Sequence, residues 1–376
     1  MPKPVVSMPY TKLTTSWFKD LTGCLEDTSA GGYKRTQSRF VVEGDKLRSL
    51  ENDQTYGIGH LELLSLQELR NRARSGARVE GIRQIRAVQG DAGQLHGLSQ
   101  NQCALFQVAS QFNMLEMPGS SVTPERGVTA YATDDTQGPS CALAAGAATI
   151  YRNYFASVNG QVGQTKDRQI DGFAILGSEL SRRIGQSPSD LWSMCNGYAM
   201  FEPGAVDLIS KYLADLNEWG IDSLRQLLRI GVQWNVQVTS SGVSADQLVT
   251  QAFCSALPIG YHHGAEKTLA NWEPLARLIL DALYEATLWA AVINAQNGGS
   301  TAVLLTFVGG GVFKNKMSWI RRAIERAVRL TSAHALDIAI VCRYPATADE
   351  LAWVEGLKKL EPEADKSPSN PGLEGR

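Results

Sequence analysis

Two adjacent carboxylates, Asp134 and Asp135, sit in the polar turn Thr133-Asp134-Asp135-Thr136-Gln137-Gly138-Pro139, ahead of the small-residue run Ser140-Cys141-Ala142-Leu143-Ala144-Ala145-Gly146-Ala147-Ala148. Carboxylates this close disfavour each other's charged form, so one can keep a proton while the other stays ionised. Acid–base chemistry needs that division: a proton donor beside a group that activates water or steadies a developing cation. Pro139 suits the first position of a helix, where its missing N–H is no loss, and Asp135 or Thr136 can cap that helix. A helix of Ala and Gly lets a ligand approach its N-terminal end closely, and the free N–H groups and dipole there favour an anion. A phosphorylated sugar meeting an acid or base would suit such a place. A capped helix with both aspartates as plain turn residues would give the same spacing.

Other segments offer matching chemistry. Gly309-Gly310-Gly311-Val312-Phe313-Lys314-Asn315 follows the apolar run at 301–308 and precedes a helical pattern, so its backbone could cradle phosphate or simply make a tight turn. Leu105-Phe106-Gln107-Val108-Ala109-Ser110 reads as a central strand, and Asn113 just beyond it stands where open α/β sheets place ligand contacts. An Asx-turn is the ordinary alternative for that asparagine. Glu116, three residues on, is a third candidate acid or a solvent-facing loop residue. Asp91 ends the turn Gln89-Gly90-Asp91 after the alternating segment 82–88.

The composition excludes several classes. A chain of 376 residues with 43% hydrophobic and 20% charged residues is ordinary for a globular protein. A net charge of −2 gives no basic footprint for nucleic acid. No uninterrupted apolar run reaches the roughly 18–20 residues of a membrane helix, and residues 1–10 lack a signal-peptide core. The six cysteines contain no CxxC pair, and the adjacent His262-His263 would point to opposite faces of a strand. The expectation is metal-independent, cofactor-free chemistry in a reducing, cytoplasmic setting, without nucleic-acid or membrane partners.

Positioning such residues requires a sheet. Strands are expected at 82–88, 105–110, 232–238, 248–257, 301–308 and 336–341, with helices at 61–70, 203–216, 221–228, 272–295 and 317–330. Ser99 and Gln102 form a capping-box pattern for another short helix. The alternation gives an α/β protein with helices on both faces of its sheet. Residues 1–80 read as an N-terminal helical extension, 81–350 as the core domain with a helical insertion at about 156–230, and 361–376 as a disordered tail.

In this order the pieces resemble the macrodomain fold, a three-layer α/β/α mixed sheet that binds ADP-ribose. The strand ending in Asn113 is similar to the macrodomain strand with a ligand-touching asparagine. Residues 309–313 resemble the macrodomain's second phosphate loop. The combination of residues 107–116, 134–139 and Arg152-Asn153-Tyr154-Phe155 resembles a divergent branch, the macrodomain-type ADP-ribosyl hydrolases related to the bacterial effector MavL. The usual glycine triplet of the first loop is absent, and Thr136-Gln137-Gly138-Pro139 stands in its place. The resemblance covers about residues 80–350.

The resemblance implies a hydrolase that removes ADP-ribose from modified protein, from arginine by the branch's habit, with ubiquitin among the candidate targets. The runner-up is a reader that binds ADP-ribose without turnover. Asp134 and Asp135 would be the catalytic pair with Glu116 as a third candidate. Gln107 and Asn113 would orient the distal ribose, and Thr136, Gln137, Gly138, Gly309, Gly310 and Gly311 would hold the pyrophosphate. Val312, Phe313 and Asn315 would complete the second loop, with Phe313 against the ribose. Asp91 would receive the adenine amino group and Tyr344 would pack against the ring. Taken without the resemblance, Phe313 and Tyr344 are core aromatics, and Arg152 is a structural ion at a helix end.

Overall fold

Stretches in which apolar residues alternate with polar ones, or replace them altogether, form a sheet covered on both faces. The computed structural model describes residues 16–265 and 268–360. The central sheet contains β1 (His60–Ser65), β2 (Gln84–Gln89), β3 (Leu105–Ala109), β4 (Arg229–Gln237), β5 (Leu248–Cys254), β6 (Ala302–Leu305) and β7 (Asp337–Cys342). Their spatial order is β1-β4-β5-β3-β6-β7-β2. The run from β5 to β2 is parallel, and β4 is antiparallel to both its neighbours.

The covering helices are α1 (Leu66–Ser75), α2 (Ala92–His96), α3 (Gln137–Ala144), α4 (Gly146–Tyr154), α5 (Ala205–Ala214), α6 (Glu218–Arg225), α7 (Leu269–Gln296) and α8 (Met317–Leu330). Strand period separates the layers. Leu105 and Ala109 of β3 pack with the α7 side, while Phe106 and Val108 pack with α2, α3 and α4. The protein is therefore a three-layer α/β/α mixed sheet. Helix α7 is long and apolar enough to cross a membrane, yet 94% of its most apolar stretch is buried inside the protein. Its two buried acids are matched by arginines from three neighbouring helices. Arg70 Nε lies 2.6 Å from Glu285, with Arg326 on the other oxygen, and Arg225 and Arg322 lie 3.0 and 3.2 Å from Asp281. Each buried acid is shared between arginines of two helices, so these pairs fix how the helices seat on α7.

The structure departs from the sequence pattern in three places. Residues 60–75 belong to the core. Ser65 and Glu68 form a capping box that ends β1 and starts α1, so the stretch read as one helix is a strand followed by a helix. The segment at 156–230 holds, besides helices, a β-hairpin of Trp192–Cys195 and Tyr198–Phe201 closed by Asn196-Gly197, both at positive φ. Ser99 starts a 3₁₀ turn, Ser99–Asn101, without a side-chain cap. Residues 1–10 and the tail at 361–376 lie outside the described residues.

His96 at the end of α2 is fully buried, stacked on Phe106 at 3.8 Å between ring centroids. Its Nδ1 is 2.7 Å from the Ala92 carbonyl and its Nε2 is 3.1 Å from the Gln251 amide. Burial pulls its pKa from the usual 6.5 down to about 4. The unfolded chain takes up the proton first, so His96 contributes stability that is present above pH 6.5 and lost as pH falls towards 4. The full loss is about 3 kcal/mol. Urea unfolding between pH 7.5 and 4.5 should show the stability advantage of wild type over His96→Gln shrinking on acidification. A pH-independent difference would contradict this assignment.

Candidate active site

The C-terminal ends of parallel strands, where the sheet opens, are the usual seat of ligands in α/β proteins. Here a cavity of about 350 Å³ lies beyond β3 and β6, within the range of small-ligand clefts. One wall is the end of β3 and the following turn (Ala109, Gln111, Glu116), and a second is Asp134 with the start of α3. The third is the glycine loop at 309–313, and Tyr198 and Tyr261 close the end. A more open groove of about 620 Å³ beside Ile175 is lined by Glu179, Arg182 and Arg183, which already pair with one another.

The opening is stabilised by a side chain acting as a strand. The Gln137 carboxamide accepts from the Ala109 N–H at 2.7 Å and donates to the Gln107 carbonyl at 3.0 Å. A parallel neighbour would make that same pair of bonds. The first turn of α3 is thereby pinned to the end of β3. Gly138 follows in close approach: a Cβ there would fall 2.1 Å from the Ala109 carbonyl and 2.2 Å from Glu116 Oε2.

Glu116 is the buried carboxyl of the site, 5% exposed, and its Oε1 has no protein partner among the described residues. Burial pushes it well above the usual carboxylate range; Arg152 opposes this and Asp134 adds to it. The turn that presents it is strained and locked. Met114 adopts φ +63°, unusual for a side chain other than glycine, and its thioether fills the space left by Gly231 on β4. The Glu116 N–H donates to Tyr131 Oη at 2.8 Å. Arg152 is fully buried, spent on the Met114 carbonyl, Gln233 and Thr149, and lies over the Phe253 ring at 4.0 Å. It is a structural cation.

On the opposite lip, Gly309 takes φ +81° against Ala256. Asn315 staples the loop by donating to the Leu257 carbonyl at 2.9 Å. The N–H groups of Gly311, Val312 and Phe313 have no acceptor among the described residues. Those of Gln137 and Gly138 at the start of α3 are likewise unpaired. Together they form an anion-accepting lip. Tyr198, Tyr261 and Phe313 pack mutually with centroids 5.0–5.7 Å apart.

The cavity thus brings together Glu116, Asp134, Thr136, Gln137, Gly138, Gly309, Gly311, Val312 and Phe313 from the sequence candidates. Others lie elsewhere. Gln107 faces α7, donating to Thr287 Oγ1 at 3.0 Å and accepting from the Thr306 N–H at 3.2 Å, because it shares strand parity with Leu105. Asn113 closes an Asx-turn by accepting from the Leu115 N–H at 3.1 Å, and is fully buried against Gly197. Asp135 is exposed: Asp134 has extended backbone angles, so the two neighbouring carboxylates diverge. Asp134 turns inward and accepts from the Thr136 N–H at 2.8 Å. Gly310 supports the loop through Phe307, and Asn315 holds it rather than facing the cavity. Asp91 caps α2 and accepts from Ser140 Oγ at 2.5 Å, outside the cavity wall. Tyr344 is 74% exposed at the end of β7, next to Arg343, which donates to the Asp135 carbonyl. Tyr198, Tyr261 and Gln111 were missed. The Asn-Gly hairpin was the legible signal for Tyr198.

No family model matches the chain, and no curated protein matches it. Among solved structures it is similar to the poly(ADP-ribose) glycohydrolase from Thermomonospora curvata. The identity is 11% and the TM-score 0.42, over 87% of this chain and 97% of that one. The same enzyme bound to the inhibitor ADP-HPD gives 11% identity and 0.39, over 87% and 96%. The poly(ADP-ribose) glycohydrolase from Deinococcus radiodurans in complex with ADP-ribose gives 12% and 0.40, over 80% and 94%.

Two substitutions test the site's physics without a ligand. A raised carboxyl contributes stability that is full below its unfolded value of 4.5 and is lost as pH rises through the higher folded value. Glu116→Gln keeps the shape without that cost, so its melting temperature should exceed wild type at pH 7.5 and converge with it near pH 4. Gly138→Ala forces a methyl into Ala109 and Glu116 and should cost roughly 1–3 kcal/mol by urea unfolding.

Proposed function

We propose that the protein is an ADP-ribosyl hydrolase, with the terminal ribose of ADP-ribose in the cavity between Glu116 and Asp134. The observation that carries this reading is a buried carboxyl that shares one cavity with a lip of backbone N–H groups; one of its oxygens and those N–H groups have no partner among the described residues. The first suits proton donation and the second suits a pyrophosphate. The macrodomain resemblance of the same segments supports the choice of ligand.

In this mechanism the N–H groups of Gly311, Val312 and Phe313, with those of Gln137 and Gly138, hold the pyrophosphate. Tyr198, Tyr261 and Phe313 pack on the ribose. The resemblance assigns adenine to Asp91 and Tyr344, which follow the adjacent strands β2 and β7. Glu116 gives its proton to the leaving nitrogen or oxygen as the bond to the anomeric carbon breaks. Asp134 stabilises the oxocarbenium-like state and takes a proton from the water that attacks that carbon. Solvent exchange through the open cavity returns the proton to Glu116. The finer proposal is an arginine linkage on modified protein, with ubiquitin among the targets; it rests on the branch resemblance alone.

Calorimetric titration with ADP-ribose and its release from arginine-ADP-ribosylated protein test the reading together. Glu116→Gln and Asp134→Ala should bind ADP-ribose and lose roughly 100-fold or more in turnover. Asp135→Ala should retain turnover. Binding without turnover on arginine-, serine- and acid-linked substrates would make the protein a reader. Absence of binding would end the ADP-ribose assignment.

A further inference from the structure

We propose that residues 17–58 brace the wall of the active-site cavity from behind, with Glu26 as the positioning residue. The proposal rests on Glu116 and Asp134 being the reacting carboxyls. The Glu26 carboxylate accepts from the Val128 N–H at 2.8 and 2.9 Å, from the Thr129 N–H at 2.6 Å and from Tyr154 Oη at 2.8 Å. Trp17 Nε1 adds a bond to the Thr129 carbonyl at 3.1 Å. Gly127 permits this approach: a Cβ there would stand 2.3 Å from the Glu26 carboxyl carbon.

These bonds anchor the start of the 3₁₀ turn Thr129–Thr133. Midway along that turn Tyr131, 2% exposed, accepts the Glu116 N–H. The residue that follows the turn is Asp134. Glu26 is therefore linked through one short turn, with Tyr131 and Ala132 buried in it, to both reacting groups. No part of Glu26 lines that cavity among the described residues.

The segment's apolar side chains have the same role. Trp17, Phe18, Tyr33, Phe40, Leu47 and Ile58 form one core cluster with Leu115, Met117, Val128 and Tyr131, the inward-facing neighbours of Glu116 and Asp134. Surface used up inside the molecule is not available to dock a modified protein. A segment that reads from sequence as an N-terminal extension thus packs as part of the wall that carries Glu116 and Asp134.

The test compares Glu26→Gln and Glu26→Asp with wild type, using free ADP-ribose for binding and a small ADP-ribosylated substrate for turnover. A glutamine turns an amide N–H toward backbone donors, so the turn should loosen while the cavity's phosphate lip stays intact. Glu26→Gln should keep the dissociation constant for ADP-ribose within about threefold and lower kcat roughly 10- to 100-fold, with KM little changed. Glu26→Asp should recover part of the loss. Hydrogen exchange at Val128, Thr129 and Glu116 should accelerate while β3, β5 and β6 remain protected. Wild-type kcat in Glu26→Gln would overturn the brace. So would a parallel loss of binding and strand protection, which is general unfolding. Wild type without turnover would sink the hydrolase reading instead, and exchange at those three amides would then decide the brace alone.

Discussion

Burial of the Glu116 carboxyl is the constraint on which the rest of the site depends. A carboxyl removed from water without a full set of partners is costly, and the protein must hold its surroundings rigidly to keep it there. Gly138 removes the side chain that would collide with it, and Met114 accepts a left-handed backbone to turn the chain toward it. Gly231 vacates the space that Met114 then fills. Each of these features is locally unfavourable or permissive, and each is compensated by packing elsewhere. Strain concentrated in this way around one polar group is characteristic of a working site rather than of a stability element.

The sheet makes such a site possible by failing to continue. β3 and β6 pair at Leu105 and Phe106, and beyond that point the edge of β3 is completed by the Gln137 side chain. A strand in that place would fill the cavity, whereas an amide satisfies the same two backbone groups and leaves space beside it. The divergence is affordable because α7 holds the layer behind it. Its apolar length and its arginine-matched acids fix the neighbouring helices independently of the sheet's open end.

Much of the fold was legible because it follows from local pattern. α8 occupies the helix positions expected from 317–330, and the strands at 105–109, 302–305 and 337–342 fall inside apolar runs. Pattern alone could not say which face of β3 meets the cavity, so Gln107 looked like a ligand contact although its parity turns it toward Thr287. Asn113 was ambiguous for the same reason, since an Asx-turn and a ligand contact ask for the same residue in the same place. Tyr261 and Glu26 carried no local signal; their positions arise from contacts far apart in the chain. The helix read over 61–70 begins only at Leu66, because an edge strand and the helix after it share apolar residues at spacings that satisfy either period.

The division of labour between acid and base also changes once the structure is considered. Two neighbouring aspartates suggested mutual repulsion as the device that keeps one protonated, but an extended backbone points neighbours apart, and only Asp134 reaches the cavity. The contrast that remains is between a carboxyl buried against Gly138 and one at a half-exposed turn. Burial raises the first, and Asp134 reinforces that rise. Desolvation assigns the proton more securely than repulsion does, because repulsion vanishes when either partner is protonated while burial persists. In the proposed mechanism the order of proton transfers follows from how the chain folds around Glu116, and the turn carrying Tyr131 couples that burial to the position of Asp134.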